Sequence, residues 1–92
     1  MRIISKDGLT DVDYGQSIVF YDGKSVFAFA NNGSVFNLVK CREEDEAKKI
    51  LTHIRHCYIE GRSYCHINDY YEKKEKEERE RKIRKMEELS WR

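Results

Sequence analysis

Residues 17–33 read SIVFYDGKSVFAFANNG, and the two glycine-bearing breaks in this stretch decide the fold. Ser17–Tyr21 is β-branched and aromatic, and Asp22-Gly23 after it is a typical hairpin dipeptide. Ser25–Ala30 resumes the same composition until Asn31-Asn32-Gly33, a second hairpin signal. Asn and Gly supply the positive φ angles that tight turns need. Ser34–Lys40 is a third run, carrying Val35, Phe36, Leu38 and Val39. Upstream, Arg2-Ile3-Ile4-Ser5 reads as a short strand closed by Asp7-Gly8. The expectation is an antiparallel meander of three strands, with a fourth added from the N-terminus.

Downstream the period changes. From Glu43 to Glu60, Ala47, Ile50, Leu51, Ile54 and Tyr58 recur at three- and four-residue spacing, which marks one helical face. Glu43, Glu44, Asp45 and Glu46 fall in the first turn, where negative charge complements the helix dipole. Gly61 then ends the helix. A sheet with one apolar face and one amphipathic helix make a two-layer α+β domain. After it, Tyr70-Tyr71 leads into a run of Glu, Lys and Arg without Gly or Pro, which Asn68 or Asp69 is placed to cap. Its acid-before-base pairs at i,i+4, such as Glu72 with Lys76 and Glu80 with Arg84, support a helix without a buried face. Residues 1–67 thus read as an α+β core, and 68–92 as a long charged C-terminal helix.

A chain of 92 residues makes one small domain, and at this size only about 60–65% of the unfolded surface is buried. Small cores of this kind commonly need a disulfide, a metal or a partner subunit. Met1-Arg2-Ile3-Ile4 is too short an apolar run for a secretory leader, and nothing approaches a membrane span of about 20 apolar residues. The expectation is a cytoplasmic protein with reduced thiols, in which Cys and His hold metal rather than form bridges. Basic and acidic residues number 18 and 17 and are interspersed, so no continuous basic face announces nucleic acid. The familiar catalytic motifs are absent: no phosphate-binding glycine loop, no G-x-S-x-G, no H-E-x-x-H. No enzymatic activity is expected.

The chemical signal lies between Ile50 and Ile67, where all three histidines and two of the three cysteines gather. Thiolate sulfur and imidazole nitrogen suit the tetrahedral preference of zinc. His53 and Cys57 lie four residues apart on one flank of the helix, the spacing at which two side chains grip one ion. Cys65 and His66 follow the Gly61 turn, close enough in chain to fold back on the helix end. The expected structural zinc set is therefore His53, Cys57, Cys65 and His66. His56 points away from the core, and Cys41 precedes the helix by too far to join. The competing reading makes Cys57 a small buried hydrophobe and the histidines surface residues.

The opening Met1-Arg2-Ile3-Ile4-Ser5-Lys6-Asp7-Gly8, with Asp11-Val12 and Tyr14 behind it, resembles a start common among small phage and prophage proteins of Gram-positive bacteria. The resemblance extends through the acidic helix start and the A-x-x-I/L-L pattern of Glu44–Leu51. It implies a context in which small soluble proteins act by stoichiometric binding. That context includes anti-CRISPR proteins, some of which occlude a type II CRISPR nuclease, and proteins that sequester nucleotide immune signals. The leading expectation is a phage-encoded inhibitor bound to a host defence protein or ribonucleoprotein. Tyr70, Tyr71 and Trp91 are the expected anchors, since aromatic side chains dominate interface energetics. Glu75 and Glu78 would oppose the arginines of a nucleic-acid-binding surface, and Ile83 and Met86 add apolar contact. The alternatives are a nucleotide sponge using Arg42, Arg55 and Arg62, and a small zinc-containing nucleic-acid-binding regulator.

Overall fold

The computed structural model describes the backbone of residues 1–90 and the side chains of residues 1–84. The elements are β1 (Arg2–Ile4), β2 (Asp11–Asp13), a 3-10 turn (Tyr14–Gln16), β3 (Ser17–Asp22), β4 (Ser25–Ala30), β5 (Val35–Lys40), α1 (Glu44–Ile59), β6 (Tyr64–His66) and α2 (Ile67–Ser90). Among the described residues the class is α+β, with two three-stranded sheets and two helices.

β3, β4 and β5 form the antiparallel meander. The first turn differs from its reading in register. Asp22 pairs with Ser25, so the two-residue loop is Gly23-Lys24, with Gly23 at φ +58°. This is the Gly-first pattern of a type II′ turn, whose twist matches the flanking strands. Between β4 and β5 the register slips, Val26 facing Val39 and Phe27 facing Asn37. The bulge at Leu38 turns two consecutive side chains, Leu38 and Val39, into the core. It also frees the Leu38 carbonyl to accept the Lys6 N–H at 3.0 Å, which links the meander to the N-terminal segment.

The N-terminal strand does not extend the meander. β1 is the centre of a second sheet, antiparallel to β2 and parallel to β6. Its Ile3 faces Val12 on one side and Cys65 on the other, and all three are buried. The turn before β2 is closed by Ser5, whose buried hydroxyl donates to Asp7 and accepts the Thr10 N–H at 3.0 Å.

α1 packs on β3, β4 and β6 and buries Ala47, Ile50, Ile54 and Cys57. The inner face therefore ends on Cys57 rather than Tyr58. Tyr58 stays half-exposed, its ring 4.8 Å from that of Tyr14. α2 begins at Ile67, one residue earlier than composition suggests, and Ile67 is fully buried in the core. Asn68 anchors the junction by donating from Nδ2 to the Lys6 carbonyl at 2.9 Å. Among the described residues no helix is long and apolar enough to cross a membrane.

Candidate metal centre

Three local features bring the donors together. The first is helical spacing: His53 and Cys57 are one turn apart on α1, and the Cys57 Sγ lies 3.7 Å from the His53 Nε2. The second is the end of α1. Gly61 takes φ +76°, its N–H bonds the Tyr58 carbonyl at 3.0 Å, and the Arg62 N–H bonds the Cys57 carbonyl at 3.2 Å. This pair of bonds is a Schellman motif, which reverses the chain within two residues. The third is the pairing of β6 with β1, where the Arg2 N–H bonds the Ser63 carbonyl at 2.9 Å and Cys65 stands opposite Ile3. Cys65 is thereby turned inward against the C-terminal end of α1.

His53, Cys57 and Cys65 each offer one donor atom, and these atoms all lie within 4.8 Å of one another. Both cysteines are buried and carry free thiols, while His53 is half-buried. A tetrahedral ion with bonds of about 2.1 Å to nitrogen and about 2.3 Å to sulfur spaces its donors roughly 3.5–3.8 Å apart. The His53–Cys57 distance already meets that spacing. The group is close enough to hold one metal ion.

The electrostatics match such a role. Burial lowers the His53 pKa from its ordinary value, helped by the nearby Arg62 guanidinium, so the ring is neutral at pH 7 with a lone pair to offer. Burial, with the adjacent Cys57, pushes the Cys65 thiol up to about 12. A thiol so buried keeps its proton unless a cation replaces it. Arg62 is itself held by Glu60, Nε to Oε2 at 2.9 Å, and Glu60 also meets the exposed His56 at 2.8 Å.

Comparison with known protein families, characterised proteins and solved structures finds no match. The donor geometry stands on its own.

His66 is not brought to the group. Adjacent residues of a strand point to opposite faces, so Cys65 going in sends His66 out. There it is exposed, its ring 6.2 Å from that of Tyr64. Cys41 is also apart, buried with its Sγ 3.8 Å from the Tyr71 hydroxyl. The expected anchors Tyr70 and Tyr71 turn out to be half-buried against the core. The Tyr70 ring centroid is 5.7 Å from that of His53, and the Lys6 ammonium sits 4.4 Å over the Tyr71 ring. Burial, with the Cys41 thiol beside it, raises the Tyr71 pKa. These tyrosines dock α2 onto the domain. Glu75, Glu78 and Ile83 are exposed on α2, whereas the Met86 side chain and Trp91 lie outside the described residues. Asp69, read from sequence only as a helix cap, lines the same cleft as His53 and Cys57. Its signal was its place four residues after Cys65, legible only once the strand-to-helix junction is known.

Proposed function

We propose that this chain is a small binding protein stiffened by a structural zinc ion, acting stoichiometrically on a host defence complex, with a type II CRISPR nuclease as its target. The observation that carries the zinc reading is the convergence of one imidazole and two thiols within 4.8 Å at the joint between α1 and β6. A set of two sulfurs and one nitrogen favours zinc over calcium or magnesium, which take oxygen ligands. The centre ties together elements of a thin core, so its role in this reading is to hold shape. The binding role is supported by the surface. Ile18, Phe29 and Val35 stand directly across from one another on β3, β4 and β5, facing away from α1, and all three are exposed. Phe20 and Phe27 extend this face with rings 5.6 Å apart. An apolar row of this kind on a charged protein marks a contact surface. The N-terminal resemblance to small phage proteins supports the class of target.

Two measurements test the reading. Native mass spectrometry of the purified full chain should show one zinc per chain, and a metal-free spectrum would remove the zinc. In a target-cleavage assay, excess protein should suppress a type II nuclease at a one-to-one ratio. Undiminished cleavage across several such nucleases would remove the inhibitor role. A second reading rests on the cleft of about 510 Å³ between α1 and α2, where Tyr70, Lys49, Lys73 and Arg81 supply a stacking ring and cations for a nucleotide. Stabilisation by a member of a nucleotide panel in a thermal-shift assay would favour that reading instead.

A further inference from the structure

A zinc ion held by His53, Cys57 and Cys65 has three protein ligands and needs a fourth to close a structural tetrahedron. The cleft between α1 and the start of α2, about 450 Å³, carries His53 and Cys57 on one wall and Asp69 and Glu72 on the other. Glu60 also borders it but already accepts from Arg62 and His56. The chain runs from β6 into α2 without a linker, so Asp69 enters the cleft within the first turn of the helix. Glu72 lies nearly a turn further along. The Asp69 carboxylate stands outside the 4.8 Å group of His53, Cys57 and Cys65, and turning its side chain within the shared cleft would bring it to the open position.

We infer that Asp69 supplies the fourth ligand, a carboxylate oxygen, making a centre of two thiolates, one imidazole and one carboxylate that spans α1, β6 and α2. This rests on the zinc reading above and extends it. With Asp69 bound, the ion fixes the first turn of α2 as well as β6. The outward course of α2, and the placing of Glu75 and Glu78 along it, then depends on the metal. Two thiolates and a carboxylate around a divalent cation leave one net negative charge. Arg62 faces that charge from the Gly61 turn and Lys73 faces it from α2.

Cobalt(II) replaces zinc in such centres and reports its ligands by colour. In a titration of the full-length chain, the wild type should show the intense visible bands of tetrahedral cobalt together with a near-ultraviolet thiolate band. Asp69→Ala should keep the thiolate band, move the visible bands as water takes the open position, and weaken affinity by about tenfold or more. Asp69→Asn, which keeps the shape of the side chain, should move the same bands, and Glu72→Ala should match the wild type. Unchanged visible bands in Asp69→Ala, even with weaker affinity, would overturn the ligand assignment while leaving the three-donor site. Band shifts in Glu72→Ala alone would overturn it in favour of Glu72. A wild type that binds no cobalt or zinc at all would overturn this inference and the zinc reading together.

Discussion

Cys65 is the residue on which the centre turns, because burial makes its thiolate costly unless a cation is present. With its pKa at about 12, the metal-free thiol is protonated throughout the neutral range, and metal binding must expel that proton. The sign follows: bound protein holds fewer protons than free protein, so affinity rises with pH. His53 adds little above its lowered pKa, since its ring is already neutral there. Zinc affinity should therefore climb by about tenfold per pH unit between roughly pH 6 and 8, the factor set by the proton that Cys65 releases. Competition against a chromophoric chelator at several pH values measures this slope, and a flat profile would mean that Cys65 is not a ligand. Cys65→Ser should lower both affinity and slope. His66→Ala should change neither, since its side chain is on the other face of β6.

Among the elements, the parts legible in sequence were those long enough to show a period or marked by glycine. The meander followed from alternating apolar runs and from Gly23 and Gly33, both at positive φ. α1 followed from its apolar spacing, and Gly61 was read as its end. β2 and β6 were not legible, since a three-residue strand has too few positions to display alternation. Without β6, the parity that separates Cys65 from His66 cannot be assigned, and both read as ligands. The packing of Tyr70 and Tyr71 at the start of α2 was not legible for a related reason, their neighbours Cys41 and His53 being distant in sequence. Gly61 is the element-scale handle on the site. No atom lies within 4 Å of a Cβ built there, so Gly61→Ala adds only backbone strain at φ +76°. The cost should be about 1 kcal/mol, seen as a lower urea midpoint with unchanged slope. The same substitution at Gly23, also unobstructed and at φ +58°, should cost about as much. Zinc affinity separates them: Gly61→Ala should weaken it because the turn aims β6 at α1, whereas Gly23→Ala should leave it unchanged in folded protein.

At the scale of the whole molecule, the two sheets are not equally secure. The meander has six-residue strands joined by short turns, so its pairing is local and its hydrogen bonds are many. The β2-β1-β6 sheet has strands of three residues and joins position 3 to position 65, which requires closing most of the chain. An ion shared by α1 and β6 would tie such a sheet at the far end of that closure. A ligand at about a thousand times its Kd stabilises the native state by ~4 kcal/mol, which in a domain of this size raises Tm by roughly 15–30 °C. Chelation should reverse that gain, and the loss should not be uniform. In hydrogen exchange, the amides of Arg2 and Cys65 should lose protection after metal removal at concentrations where the amides of β4 keep theirs. If α1, β6 and the meander all respond equally, the metal acts only through global stability. If none responds while stoichiometric zinc departs, the ion was held elsewhere and the joint between α1 and β6 is secured by packing alone.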